Sequence, residues 1–480
     1  MTCGPGHLPM DRRAFLAHSG ALAVAGLAPG SGRRHDRQPA STAITSSPAR
    51  PVEVRATSLN FEREPLIRPS GFAGGYMTEF WQTVARIESS SGNFGVGLGT
   101  QNILWCDPDV LTRFTESGAN ALMLAVSDRA LQMIRGERFD HPITLLEGIV
   151  EELYEYARRT SGVPDLNRTF VLNALVPVDN AAWVLYAREN GLTRFDDLVP
   201  EQYRPGLSHR HEHIASLPSV TYALPIEEVE RAARDGYFVI KLKLGHPGSQ
   251  EEMIERDMER LTQVHRAVGS MQTRHTPDGR IRYDLDPNSR YQRKETLLRL
   301  LDHARKIGAF EQIVVIEEPF PYENEEDVSD IPVPIAADES ATTAEDALRR
   351  IDLGYRGIAL KAIAKTLSET VMMAQLCHDR GVACMAADLT VNPILVDWNK
   401  TIAARLAPFP GMQVGMMETN GHQQYREWSR MESYHPCADA SWRRVHDGVF
   451  VLDDDFYARS GCILDRIPHY EALVAPGAPA

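Results

Sequence analysis

Residues 240–245 read IKLKLG, and this short run of sequence carries the first signal of both fold and function. Its apolar residues predict a buried β-strand, yet Lys241 and Lys243 alternate within it and therefore point to the same side of that strand. Four later apolar runs also contain or end in charged residues: RYDLDPN at 282–288, VVIEEPF at 314–320, IAADES at 335–340 and IALK at 358–361. A parallel strand that is buried on both faces is normally apolar throughout. Charges at five successive strands therefore indicate a functional site.

Each of these runs has an ordinary structural explanation when it is taken alone. A Lys-x-Lys strand is often a sheet edge with one solvated face, and an acidic pair before proline often begins a loop or caps a helix. Random surface charge, however, would not fall at the end of each apolar run. The regular placement favours one shared site over five unrelated features.

From about residue 215 onward, short apolar strands alternate with helical patterns, as is typical of a parallel α/β fold. The predicted strands are 237–244, 281–286, 313–317, 335–338, 357–361, 382–387 and 413–418. The number of units favours a closed TIM-type (β/α)7β barrel over an open sheet, and no Gly-rich phosphate loop follows the first strand. In such a barrel the C-terminal ends of the strands hold the active site, so the charged side chains are expected to converge there.

The part of the chain before residue 190 has a different texture. Residues 80–87 and 94–98 predict two strands joined by a turn at 89–93, and apolar residues at helical spacing follow from about 143 to 190. Sheet followed by helices predicts an α+β module.

Composition excludes several classes of protein. The chain has 480 residues, 43% of them hydrophobic, and a formal net charge of −14. This is too apolar for a disordered chain, and its sign argues against a nucleic-acid partner. The six cysteines show no zinc spacing and are too few for a disulfide framework, so we expect free thiols.

The N-terminal fifty residues predict a targeting signal rather than a folded domain. Arg12 and Arg13 precede an apolar stretch that reaches Ala28, which at about fifteen residues is too short to span a bilayer. Paired arginines before such a stretch resemble a twin-arginine export signal, and an amphipathic helix is the alternative. Residues 29–50 predict a disordered spacer. We therefore expect an exported, periplasmic protein with no transmembrane segment.

The chemistry of the five strand ends follows from their side chains. Carboxylates without His or Cys form a hard-oxygen site that suits Mg²⁺, which leaves positions for a substrate carboxylate. A divalent cation nearby disfavours the ammonium form of lysine and lowers its pKa. A neutral lysine can then take a proton from the carbon next to that carboxylate, while the metal stabilises the resulting enediolate.

The series IKLKLG, DPN, IEEP, ADES and IALK, in this order, resembles the enolase superfamily, specifically its muconate-lactonizing-enzyme and mandelate-racemase branch. The resemblance extends from about residue 52 to 465. It implies one Mg²⁺ held by Asp286, Glu317 and Asp338, with Asn288 and Glu339 in a second layer. It also implies Lys243 and Lys361 as the acid/base pair, assisted by Lys241. Asp284 is the alternative to Asp286, which is preferred because the run Asp286-Pro287-Asn288 followed by Tyr291 matches the spacing of the family.

The resemblance also implies a domain plan. Residues 1–50 would be the export signal and spacer, 52–190 an α+β capping domain, 215–440 the barrel, and 441–480 a segment that returns to the cap. Specificity is expected in the cap at 67–76 and 98–105.

Three stretches depart from the family pattern. The second lysine of strand six, Lys365, stands four positions after Lys361 rather than three. Strand eight ends in Glu418-Thr419-Asn420 where dipeptide epimerases commonly have Asp-x-Asp, so Glu418, with Asp388, is only a candidate for substrate binding. The segment 191–217 contains His209, His211 and His213 and is interpreted as a solvated insertion, with metal binding as the alternative.

A base lysine on strand six is typical of the cycloisomerase and epimerase subgroup. We therefore expect a Mg²⁺-dependent isomerase that works through an enediolate, an epimerase, racemase or cycloisomerase acting on an amino-acid derivative or dipeptide. An acid-sugar or hydroxy-acid dehydratase that uses the same metal site is the nearest alternative, and a non-catalytic carboxylate-binding protein is another. The expected partners are a small carboxylate substrate and further copies of the chain in a homo-oligomer.

Overall fold

The computed structural model describes residues 49–72 and 75–477, so the predicted export signal lies almost entirely outside the described residues. The N-terminal part of the structure is an antiparallel sheet in the order β3-β2-β1-β4. Its strands are β1 (Val52–Phe72), β2 (Gly75–Ser89), β3 (Phe94–Gln101) and β4 (Arg138–Phe139). The predicted pair of strands at 80–98 and the turn between them are confirmed.

Helices cover one face of this sheet. They are α1 (Ile103–Cys106), α2 (Pro108–Arg113), α3 (Glu116–Met133), α4 (Pro142–Ser161) and α5 (Arg168–Asn190), and the short α6 (Phe195–Leu198) follows. We call residues 52–190 the cap.

Glycines in β3 allow α5 to lie directly on the sheet. A Cβ atom at Gly95 would stand 2.1 Å from the Ala181 carbonyl oxygen, and one at Gly97 would stand 2.2 Å from the Ala181 nitrogen. Any larger residue at these two positions would push the helix off the strand. By length and composition α5 is apolar enough to cross a membrane, but its apolar window is entirely buried within the fold, as expected of a core helix.

The barrel contains parallel strands at eight positions. They are β5 (His213–Leu217) with β6 (Ser219–Val220), then β7 (Val239–Lys243), β8 (Arg282–Asp286), β9 (Ile313–Glu317), β10 (Ile335–Ala337), β11 (Gly357–Leu360), β12 (Ala383–Ala386) and β13 (Gly415–Glu418). The strands β5 and β6 are two parts of one strand, interrupted at Pro218. Because β5 pairs with β13 and β6 pairs with β7, this strand joins the two edges of the sheet. The predicted TIM-type fold is confirmed.

The interpretation of 191–217 as a solvated insertion is wrong at its C-terminal end. Residues 213–217 form the first barrel strand, with Ile214 fully buried. His211 is also buried, and its Nε2 lies 2.9 Å from the carbonyl oxygen of Leu406. Its imidazole thus serves the packing of the barrel.

Most barrel strands are followed by a helix that covers the outside. These helices are α7 (Ile226–Arg234), α8 (Gln250–Val268), α9 (Lys294–Ile307), α10 (Ala344–Asp352), α11 (Leu367–Arg380) and α12 (Pro393–Ala403). The connection from β9 to β10 is a loop. After β13 come α13 (Gly421–Gln424) and α14 (Trp428–Glu432).

The C-terminal segment contacts both parts of the molecule. It contains β14 (Val445–His446), β15 (Val449–Val451), α15 (Asp454–Arg459) and α16 (Pro468–Leu473). Strand β15 pairs antiparallel with β5 of the barrel. Farther on, the carbonyl oxygens of Leu473 and Val474 accept hydrogen bonds from Asn60 and Ser58 of β1.

The expectation of free thiols throughout is wrong for one pair. Cys437, after α14, and Cys462, after α15, form a disulfide. Cys106, Cys377 and Cys384 are free and buried, so packing explains them. The sequence does not reveal the pairing, because 25 residues separate the two cysteines and only the fold brings them together.

Candidate active site

The charged residues singled out in the sequence lie at the C-terminal ends of the barrel strands. The register pairs Lys241 with Asp284 and Lys243 with Asp286 across β7 and β8. Strand alternation therefore places these four side chains on the interior side of the barrel, and Glu317 ends the neighbouring β9. The predicted convergence of the strand-end charges is what the topology produces.

Lys241 joins three carboxylates. Its Nζ lies 2.7 Å from Glu317 Oε2, 2.9 Å from Glu418 Oε2 and 3.4 Å from Asp286 Oδ2. The lysine side chain is 1% exposed, and a buried ammonium group must have such partners. The ends of β8, β9 and β13 are thereby drawn together around β7.

Lys243 is the most accessible of the predicted catalytic lysines. Its Nζ lies 2.5 Å from Asp286 Oδ2, and 21% of its side chain is exposed. Asp286 is itself oriented by the backbone N–H of Asn288, which donates to Oδ1 over 3.0 Å. Asn288, predicted in a second layer, thus supports Asp286 through its backbone, which has a φ of 48°.

Asp338 is held by two lysines. Lys361 donates a hydrogen bond to Oδ2, and Lys365 Nζ lies 3.0 Å from Oδ1. Lys365 is fully buried and also donates to the carbonyl oxygen of Asp338 over 2.7 Å. The sequence predicts Lys361 as a catalytic residue, whereas it indicates for Lys365 only a departure from the family spacing.

Trp105, in α1 of the cap, reaches this part of the site. Its indole N–H donates to Glu339 Oε1 over 2.9 Å, and Lys361 Nζ stands 4.3 Å from the ring centroid, a cation–π distance. The other oxygen of Glu339 is buried without a hydrogen-bond partner. The sequence places 98–105 near the site but contains no signal that selects this tryptophan.

Glu318, the residue after Glu317, connects β9 to the end of β10. Its Oε2 accepts hydrogen bonds from Asp338 N over 2.6 Å, from Ser340 N over 3.1 Å and from Ser340 Oγ over 3.0 Å. Its backbone φ of 38° is unusual for a residue with a side chain. Glu318 therefore fixes the backbone that carries Asp338.

Asp388 and Glu418, the two candidates for substrate binding, contact the protein itself. Asp388 accepts hydrogen bonds from the backbone N–H groups of Leu389, the next residue, and of Asn420, which follows the neighbouring strand β13, both over 2.7 Å. Glu418 Oε2 accepts from Lys241 and also from the Asp388 N–H. These contacts join the loops after β12 and β13, and a substrate-binding role for either residue remains a prediction.

Asp284 differs from the other carboxylates described at the strand ends, because neither of its oxygens has a hydrogen-bond partner. It is fully buried on β8. Burial raises its pKa to about 7, and the nearby Lys241 ammonium only partly opposes that effect. Asp286, by contrast, contacts both Lys241 and Lys243. Of the two rivals, Asp286 is the one connected to the rest of the site.

Burial raises the pKa values of other carboxylates at the strand ends, whereas ammonium groups near some of them lower the pKa. Burial raises the pKa of Glu318 to about 8 and holds the pKa of Glu317 well above its usual range. For Asp338, burial acts in the same sense, but Lys361 and Lys365 outweigh it and lower the pKa. Burial also disfavours the charge on Glu418, yet Lys241 and its neighbours lower the pKa of Glu418 to about 2.

The lysines are stabilised in their charged form by these same carboxylates. Burial opposes the charge on Lys361, but Asp338 and Glu339 outweigh it and raise the pKa of Lys361. The expectation of a lowered lysine pKa rests on a divalent cation that reduces the negative charge around the lysines. Within the protein alone, the carboxylates have the larger effect.

The donor set fits a hard divalent cation. Asp286, Glu317 and Asp338 offer only oxygen atoms, from three consecutive strand ends, and all three residues are buried. Asp286 and Glu317 already share one cationic partner, Lys241, whereas Asp338 is turned toward its two lysines. Among the described residues, these three carboxylates do not have oxygen atoms that all lie within 4.8 Å of one another.

Among the described residues, one group of three ligand-type side chains does have its atoms within 4.8 Å of one another. It comprises Cys437, Cys462 and Asp465. Because the two sulfur atoms are bonded to each other, this group has no thiolates to offer a metal.

Comparison with known proteins gives a consistent result. Residues 226–427 match the family described as enolase C-terminal domain-like. Muconate cycloisomerase 1 of Rhodococcus opacus is 27% identical over 365 residues, which cover 72% of this chain and 81% of that protein.

Solved structures share the fold at lower sequence identity. A mandelate racemase/muconate lactonizing protein from Herpetosiphon aurantiacus superposes with a TM-score of 0.57 at 16% identity, covering 85% of this chain and 97% of that chain. A dipeptide epimerase from Enterococcus faecalis V583, solved with Mg and the dipeptide L-Leu-L-Tyr, gives a TM-score of 0.53 at 19% identity, covering 76% and 90%. Residues 226–427 of this chain thus match the enolase C-terminal domain-like family, the chain is similar in sequence to a muconate cycloisomerase, and the solved structures share its fold.

Proposed function

We propose that this protein is a Mg²⁺-dependent isomerase that removes the proton α to a substrate carboxylate and returns it, through an enediolate intermediate. The observation that carries the proposal is the placement of two lysines. Lys243 ends β7 and Lys361 follows β11, four positions apart among eight, so they approach the barrel mouth from opposite sides. One lysine on each face of a planar intermediate is the arrangement that epimerisation needs.

The relatives support an isomerase in general. Muconate cycloisomerase 1 is similar in sequence, and dipeptide epimerases share the fold. The finer proposal is an epimerase, racemase or cycloisomerase that acts on an amino-acid derivative or dipeptide.

The chain's own residues would divide the work as follows. Asp286, Glu317 and Asp338 would hold Mg²⁺, and the bound ion would neutralise the negative charge that develops on the substrate carboxylate. Lys241 contacts the carboxylates of Glu317 and Glu418 and keeps both in place. Lys361, oriented by Asp338 and Trp105, takes or returns the α-proton on one face, and Lys243 does the same on the other.

Exchange of the α-proton with solvent deuterium tests the two-lysine mechanism. We expect the wild-type protein with Mg²⁺ to exchange the substrate α-proton for deuterium in D₂O. Each single Lys→Ala variant should lose the exchange on one face of the substrate, and the double variant should lose it on both faces. The expected loss for each lysine is about 10²–10⁴-fold, the usual contribution of a general base. Proton NMR of the two epimers, incubated separately, measures each face.

Lys306→Ala is the matched control, because Lys306 is exposed at the C-terminal end of α9, a helix on the outside of the barrel. Unaltered turnover of the Lys361→Ala variant would contradict the mechanism. A keto-acid product would instead indicate the dehydratase, and substrate binding without any exchange would indicate a carboxylate-binding protein.

We also propose export to the periplasm. The arginine pair at 12–13 supports it, and so does the disulfide Cys437–Cys462, because disulfides persist in oxidising compartments.

A further inference from the structure

Lys365 is a buried lysine beside the proposed metal ligands that the proposed mechanism leaves without a role. It stands one turn after Lys361: the Lys365 N–H donates to the Lys361 carbonyl oxygen over 2.7 Å, and the Ala364 N–H donates to the same oxygen over 3.0 Å. Residues four apart on such a turn face the same side. The spacing of four, which departs from the family pattern, therefore directs both ammonium groups to one carboxylate.

Lys365 uses all of its hydrogen-bonding capacity near Asp338. Its Nζ donates to the Asp338 carbonyl oxygen over 2.7 Å, to Asp338 Oδ1 over 3.0 Å and to the Ala359 carbonyl oxygen over 3.1 Å. An ammonium group has three N–H donors, so each donor has an acceptor. The side chain is 0% exposed, and two of its partners are backbone atoms that cannot rotate away.

Lys361 is held differently. It donates to Asp338 Oδ2 and lies under the Trp105 ring, so a single side-chain oxygen anchors it. A general base must leave this contact to reach a substrate. If Lys361 were the only partner of Asp338, each such movement would also release the carboxylate.

We propose that Lys365 is a positioning residue that fixes the Asp338 carboxylate for metal binding, independently of where Lys361 is. By holding Oδ1 and the main chain together, it sets the direction of Oδ2. This inference rests on the proposed function, since it concerns Asp338 as a metal ligand.

Two physical effects predict opposite results for the removal of Lys365. If Lys365 acts only through its positive charge, it repels a divalent cation, and its removal would tighten metal binding. As a positioning residue it orients a ligand, and residues that do so typically contribute about 10–100-fold to metal affinity. The same charge change at Lys361 serves as a matched control, because both ammonium groups contact the same carboxylate.

The experiment is a titration of the full chain with Mn²⁺, followed by electron paramagnetic resonance, and with Mg²⁺, followed by calorimetry, in the absence of substrate. We expect Lys365→Met to weaken the affinity for the ion about tenfold or more and Lys361→Met to leave it unchanged or tighter. A Lys365→Met variant that binds as tightly as the wild type, or more tightly, would overturn the inference alone.

Circular dichroism checks that each variant folds. If Lys365→Met does not fold, Lys365→Gln replaces it: the amide cannot supply three donors, so we expect weaker binding than in the wild type, and equal or tighter binding overturns the inference. Wild-type protein that binds neither ion would overturn the proposed function together with the inference.

Discussion

Trp105 is a residue of the cap that contacts side chains at the catalytic end of the barrel. Its indole N–H is the hydrogen-bond donor to Glu339 Oε1, and the other oxygen of that glutamate has no partner. The aromatic ring also lies over the ammonium group of Lys361. One side chain of α1 therefore stabilises both the carboxylate of Glu339 and the neighbouring ammonium group of Lys361.

Substitution of Trp105 is expected to separate these two contributions. Trp105→Phe keeps the ring but leaves Glu339 without a donor, which should lower the free energy of unfolding by about 1–3 kcal/mol. Trp105→Leu also loses the cation–π contact and should lower it further, by about 0.5–2 kcal/mol. Urea unfolding measures both. Equal stabilities of the two variants would show that the ring contributes nothing.

At the scale of elements, the cap helix α5 caps a barrel helix. Asp179 of α5 accepts a hydrogen bond from the backbone N–H of Ser368, in the first turn of α11, over 3.0 Å. Ser368 Oγ donates to the same carboxylate and accepts from the Trp183 indole over 3.0 Å. A carboxylate at a helix N-terminus is favourable, and α11 begins directly after the turn that carries Lys361 and Lys365.

This contact is expected to make stability depend on pH. Burial raises the pKa of Asp179 to about 6, although hydrogen bonds from Ser368 oppose it. The unfolded chain loses this proton near pH 4 and the folded chain near pH 6, so the contribution of Asp179 to the free energy of unfolding falls as the pH rises between these values. The decrease amounts to about 3 kcal/mol.

The Asp179→Asn variant lacks this dependence. The stability difference between variant and wild type should therefore shift in favour of the variant from pH 4 to pH 7, as measured by denaturant titration at each pH. Ser368→Ala removes one donor and should move the transition to higher pH. A difference that stays constant with pH would contradict the assignment.

The sequence predicts most barrel elements because their apolar runs are short and bounded by turns. The predicted strand 313–317 coincides with β9, and the others differ from the structure by at most two residues at either end. The first strand escapes prediction because Pro218 divides it and histidines precede it, so its apolar core, 214–217, is too short to stand out.

The site is predictable to the same extent and for a similar reason. Alternation within IKLKLG and RYDLDPN places Lys241, Lys243 and Asp286 correctly, since strand geometry fixes where they point. Trp105 and Lys365 are not predictable in this way. Their contacts depend on how the cap meets the barrel and on a turn after β11, which local patterns do not encode.

At the scale of the whole molecule, the disulfide Cys437–Cys462 joins the loop after α14 to the C-terminal segment. Closing a loop across 25 residues is expected to stabilise the fold by about 3 kcal/mol. Reduction with dithiothreitol should lower the midpoint of thermal unfolding, and Cys437→Ser/Cys462→Ser protein should unfold at that lower temperature with or without reductant. Protein purified without reductant is expected to contain the bond. A reductant that leaves the wild-type midpoint unchanged would contradict the role of the bond.

The pairing of β15 with β5 has a consequence for how the chain is made. Strand β5 lies between β13 and β15, and the Ser216 N–H donates to the Gly448 carbonyl oxygen over 2.9 Å. A ribosome produces β5 long before either neighbour, so during translation this strand has two open edges. Products that stop before residue 449 would keep one edge open permanently, and open edges seed aggregation. Synthesis of the complete chain thus covers this edge of β5 with β15 and protects the barrel from aggregation.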